Sequence, residues 1–136
     1  MTKITKKYKP TLKEKFMNAK MKEYFRLKLI GWKNDLLKES TQTLNNLQKE
    51  ENTTKPDMTD RATEEIQRTF ELRTRDRERK LINKIDAALK RIDNGNYGYC
   101  DETGEPIGIK RLEALPVATL SIEAQEMHEK KEKKIN

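Results

Sequence analysis

Pro56 is the one firm break in the stretch from Met21 to Asp93. It disfavours helical geometry at Lys55, and Asn52, Thr53 and Thr54 beside it are turn formers. On either side the sequence reads as helix. Before the break, Phe25, Leu29, Trp32 and Leu36 follow the spacing of a coiled-coil seam, and Leu47 returns to it later; Gly31 and Thr43 weaken the pattern without ending it. After the break, a second helix is expected from around Asp57–Asp60 to Asp93. Ala62, Ile66 and Phe70 would open its apolar stripe, and Leu81, Ile85, Leu89 and Ile92 would close it. Two helices of about 30 residues joined by a short turn must run antiparallel, each about 45 Å long. The expected fold is mainly α, with a long antiparallel coiled-coil hairpin over 21–93 and its tip near 52–60.

The composition suits a narrow buried stripe better than a thick core. Of 136 residues, 39% are charged and 33% hydrophobic, and five glycines and four prolines are too few for the turns of an all-β fold. Residues 1–34 carry eleven lysines and arginines against two glutamates, while the remainder is slightly acidic. Such a basic third fits nucleic acid or an acidic protein surface, although for residues 1–10 the plainer reading is a solvated, flexible tail. Residues 1–20 are therefore expected to be a basic arm with a short helix from Thr11 to about Ala19, Leu12 and Phe16 sharing one side. No apolar run approaches the roughly 20 residues that span a bilayer, and MTKITKKYKP lacks a signal-peptide core. A soluble, cytoplasmic protein is expected.

Gly95 is suited to a left-handed cap that ends the second helix. Residues 94–118 then form a module punctuated by glycine and proline, and 119–136 a last helix. Within the module, YGYCDETGEPIG looks like one knuckle of a zinc ribbon. The chain has a single cysteine, Cys100; the companion positions of a ribbon hold Thr103, Ser121 and Ala124. Structural zinc takes four ligands, normally as two close pairs. Threonine and serine are not usual ligands, alanine cannot be one, and the spacing does not recruit Glu102 or His128. Cys100 is read as a packed thiol, with a redox role requiring a depressed pKa.

PDMTDRA puts Asp57 and Asp60 at a helix start, where they would cap it and favour the dipole, or act outward at the end of a long probe. RTRDRERK reads as a solvated charged face or a binding surface. No phosphate loop, His-Glu pair or Ser-His-Asp set is present, so no enzyme is expected.

PDMTDRATEE, FELRTRDRERKLINKID and NGNYGYCDETGEPIGIKRLEALPVATL, in this order and followed by a charged helix, resemble the DksA/TraR family of bacterial transcription regulators from roughly Tyr24 to Glu132. The resemblance implies a protein that binds RNA polymerase directly, without recognising a DNA sequence. Its coiled coil would enter the secondary channel and change promoter open-complex stability and initiation, often together with ppGpp. The family's tip motif falls on Asp57, Asp60 and Ala62. Its four zinc-ligand positions fall on Cys100, Thr103, Ser121 and Ala124, which implies a degenerate, zinc-free module held by Tyr97, Tyr99, Ile107, Ile109, Leu112 and Leu120. Its ppGpp interface keeps Arg77, Leu81, Lys84 and Glu123, but Leu115 and Gln125 stand where an arginine and a lysine are usual, implying a weak response or none. A monomer is implied. Two rivals stay open: a basic helical nucleic-acid-binding protein, and a transcript-cleavage factor whose acids coordinate magnesium.

Overall fold

A computed structural model describes the backbone of residues 3–51 and 58–135 and the side chains of 3–49 and 61–134. Among the described residues four helices appear: α1 Ala19–Glu51, α2 Met58–Asn94, α3 Ile109–Ala114 and α4 Ile122–Ile135. Among the described residues there is no strand, only an isolated antiparallel bridge between Tyr99 and Pro106. The chain divides into two compact units, residues 1–30 with 85–136, and residues 31–84. The turn expected at 52–57, with Asp57, lies outside the described residues.

The first unit holds most of the buried apolar side chains. Met21, Phe25 and Leu29 of α1 and Ile85 and Ala88 of α2 are buried, as are Tyr97, Ile107 and Leu112. Asn18 caps α1, its Oδ1 accepting the Met21 N–H at 2.8 Å. At the far end of α2, Gly95 adopts φ 83°. There the N–H of Gly95 donates to the carbonyl of Ile92 (3.2 Å) and that of Asn96 to Arg91 (2.9 Å), the paired bonds of a Schellman cap. That end falls where the sequence places it.

The short helix expected over Thr11–Ala19 does not form. Glu14 folds back instead, accepting from the Tyr8 hydroxyl at 2.7 Å and the Thr11 N–H at 2.8 Å. The backbone then turns at Met17, with φ 56°. Leu12 is 83% exposed, whereas Phe16 packs edge-on against Tyr99 at 5.5 Å, so the two share no face. The turn drives Met17 into the space beside Gly98. A Cβ added at Gly98 would lie 3.0 Å from Met17 Cγ, and its φ of +89° is itself one that favours glycine.

In the second unit, two helical segments joined by six residues run antiparallel. Leu36 and Leu47 are buried, as the seam of α1 predicts, and Trp32 is half-buried. The facing stripe of α2 differs from the expected one. Glu64, Arg68, Glu71, Thr74, Glu78 and Leu81 are half-buried or buried, at the three- and four-residue spacings of a seam. Ala62, Ile66 and Phe70 are exposed. At 3.6 residues per turn, Ile66 and Phe70 sit two residues, or about 200°, away from Glu64 and Arg68, on the opposite face. The covered stripe that ends at Leu81 carries polar residues inward near the start of α2.

Burial of Glu78 costs the unit stability. One carboxylate oxygen of Glu78, and one of Glu71, has no hydrogen-bond partner. Desolvation first, then the nearby Glu39 charge, pushes the Glu78 carboxyl above its ordinary value. An acid with a raised folded-state pKa supports folding below its unfolded value of 4.5 and loses that support as pH rises through the folded value. Glu78→Gln should therefore stabilise the protein by about 1 kcal/mol at neutral pH, where the unpaired charge is removed. The gain should vanish below pH 4.5, as read by urea unfolding followed by circular dichroism at both pH values.

Candidate functional site

The module after α2 is built on a tight turn. The Ile107 N–H donates to the Gly98 carbonyl at 2.7 Å, Cys100 N–H to Glu105 at 2.8 Å, and Gly104 N–H to Cys100 at 2.9 Å. The Arg91 guanidinium clamps this turn from the end of α2. It donates to Asp101 Oδ1 at 2.5 Å and to the carbonyls of Tyr99 (2.8 Å) and Asn96 (3.3 Å). Arg111 Nε donates to the Leu120 carbonyl at 2.9 Å. Lys28 of α1 reaches Glu113, with Nζ 2.6 Å from Oε2 and 3.1 Å from its carbonyl. Burial alone would push the Glu113 carboxyl up, but hydrogen bonds from Lys28 and Tyr24 outweigh it and hold the carboxyl below its usual range. Periodicity does not reveal these long-range pairs, because each joins residues on elements whose packing is set elsewhere.

The four ribbon positions lie within this unit, and each serves the fold. Cys100 is buried. Burial pushes its thiol up, yet hydrogen bonds from the Thr103 hydroxyl and from the N–H groups of Ser121, Thr103 and Glu102 prevail and bring it down to about 6. The Thr103 hydroxyl also accepts from the Glu105 N–H at 3.3 Å. Ser121 is buried and caps α4, its Oγ accepting the Ala124 N–H at 3.2 Å. Ala124 is a buried methyl. Tetrahedral zinc needs four electron-pair donors. One thiol, two hydroxyls already hydrogen-bonded and a methyl do not fit it. Among the described residues, no group of three His, Cys, Asp or Glu could hold a metal ion. His128 of α4 hydrogen-bonds Glu102, so neither is a spare ligand.

The remaining candidate residues fall on separate elements. Asp60 lies in the first turn of α2, and Ala62 after it is exposed. In the second unit, Arg77, Leu81 and Lys84 recur at four and three residues and so form one stripe of α2; Arg77 and Lys84 are exposed and Leu81 is half-buried. In the first unit, Glu123 is exposed in the first turn of α4, and Gln125 Nε2 is 3.5 Å from Glu129 Oε1. Leu115, the C-cap of α3, is an exposed apolar side chain. No described helix is long and apolar enough to cross a membrane.

Comparison with known proteins matches these parts in the same order. Residues 21–92 match the DnaK suppressor protein DksA, N-terminal domain, and residues 95–130 match the prokaryotic dksA/traR C4-type zinc finger. The chain belongs to the DksA family. It is 56% identical over 126 residues to the RNA polymerase-binding transcription factor DksA of Caulobacter vibrioides strain NA1000, covering 93% of this chain and 88% of that protein. It is 43% identical over 122 residues to the protein of that name from Escherichia coli K12, covering 90% and 80%. Transcription factor DksA2 from Pseudomonas aeruginosa superposes with a TM-score of 0.81 at 42% identity, covering 87% of this chain and 90% of that one. The C4-type zinc-finger description thus applies to a DksA-family module in which one of four cysteines remains.

Proposed function

We propose that this chain is a transcription regulator that binds RNA polymerase directly and performs no covalent chemistry of its own. The observation that carries the proposal is the match of both segments, helical pair and module, to one family whose relatives are named as RNA polymerase-binding factors. In this reading the protein is a cytoplasmic monomer. It presents the end of its helical pair to the secondary channel, where Asp57, Asp60 and Ala62 act on open-complex stability and initiation. A helix start suits that role, because an acid placed there is favoured by the dipole while its other oxygen stays free for a partner.

The alarmone ppGpp has a weaker claim. In this reading Arg77, Leu81, Lys84 and Glu123 are the residues that the chain retains for it, whereas Leu115 and Gln125 lack the two cations usual there. Charge-assisted hydrogen bonds are worth about 1.5–3 kcal/mol each, so their loss weakens a polyanion site by orders of magnitude. The module is proposed to fold without zinc, since the Cys100 thiol cradle and the Ser121 cap occupy the positions that the metal would tie together.

Three measurements test these statements. In promoter transcription with the matching polymerase at equal occupancy, Asp57→Asn/Asp60→Asn should bind like wild type but lose the effect on initiation; equal effects from both proteins would reduce the acids to helix caps. Titrating ppGpp should add little, and strong synergy at ordinary alarmone levels would contradict the degraded site. Structural zinc in zinc-finger peptides contributes on the order of 10 kcal/mol. The melting temperature here should be unchanged by a chelator, and a large drop would show a bound metal.

A further inference from the structure

Ile66 and Phe70 lie one turn apart on the face of α2 turned away from its helical partner, 73% and 65% exposed. A shallow groove runs beside them, lined by Glu65, Ile66, Thr69, Phe70 and Arg73. The segment is inverted relative to an ordinary helical pair. Glu64, Arg68, Glu71 and Thr74 take the inward positions, and the large apolar side chains take the outward ones. Isolated surface apolar residues are common in monomers and need no explanation. Here two of the largest stand together while polar groups occupy the seam beneath them, so packing within this unit accounts for neither choice.

We propose that Ile66 and Phe70 are the apolar anchor by which this helix docks on a protein surface of RNA polymerase, one that offers an apolar side chain beside a carboxylate. The inference rests on the polymerase-binding reading above. Three features favour this occupant. The two side chains expose roughly 300 Å², given about 150–250 Å² for a whole aromatic residue. A stable dimer needs about 800 Å² from each partner, so a second copy of this chain is not held by this patch. The patch does suit one cluster inside a larger interface, where aromatic and arginine side chains supply most of the binding energy. Arg73 borders the groove, and its cation would meet the carboxylate. Finally, Asp60 precedes Ile66 by six residues, about 9 Å along the helix, so the patch lies on the part of α2 that the functional reading brings to the polymerase.

The test is the affinity of wild type and Ile66→Ala/Phe70→Ala for RNA polymerase, with transcription measured alongside. Both positions are exposed and alanine favours helix, so the melting curve should be unchanged. The double variant should bind polymerase at least tenfold more weakly, the loss expected when a hot-spot aromatic is truncated. Its effect on initiation should return in full when its concentration is raised by the same factor. Ile66→Leu/Phe70→Leu should retain most of the affinity. Wild-type affinity in the alanine variant would overturn the anchor while leaving the functional reading intact. So would sedimentation showing a wild-type dimer that the alanine variant loses without any change in polymerase affinity. Failure of the wild type to bind polymerase at all would overturn the functional reading, and this surface with it.

Discussion

The ring of Tyr97 lies against Phe25 of α1, with centroids 5.7 Å apart, while its hydroxyl donates to the carbonyl of Pro116 at 2.8 Å. One buried side chain thereby joins the first helix, the turn that follows α2, and the segment leading into α4. Its phenol is pushed up by burial first and by the Glu113 charge second, so it stays a neutral donor at any ordinary pH. The pairings of Tyr8 with Tyr24 and of Tyr24 with Phe25 extend this contact to the N-terminal arm. Each is an edge-to-face arrangement of the kind aromatic quadrupoles favour.

This packing explains how a ribbon-like module can stand with one cysteine. A zinc cage would hold two distant turns together at a single point. Here that task is divided among Arg91 on the 97–104 turn, Arg111 on the carbonyl of Leu120, Lys28 on Glu113 and the Cys100 thiol, which accepts an N–H from Ser121. Several of these are charge-assisted bonds, which are shorter and stronger than neutral ones. The positions of the lost ligands keep polar or small side chains because each has an assigned partner or a confined space.

The helical pair of the second unit is governed by a different compromise. Leu36 and Leu47 hold one side of the seam, yet the other side buries Glu78 and half-buries Glu64, Arg68 and Glu71. Buried polar seam positions cost stability and fix register. They also release Ile66 and Phe70 to the surface.

Much of this was legible in the chain itself. The end of α2 at Gly95 and the buried seam of α1 follow from local rules: glycine admits the left-handed cap, and apolar residues at helical spacing must find cover. Periodicity failed at two places. At 11–19, an apolar pair at helical spacing lost to the carboxylate of Glu14 and the left-handed turn at Met17, which the packing against Gly98 determines. At 62–70, helical spacing alone predicts a buried stripe of Ala62, Ile66 and Phe70, but in this unit the covered face runs through Glu64, Arg68, Glu71, Thr74, Glu78 and Leu81. Sequence determined the long helices and where α2 ends, because those depend on neighbours along the chain. Only the tertiary structure decided which faces are covered and which charges meet, because a rigid helix must satisfy all its contacts with a single rotation.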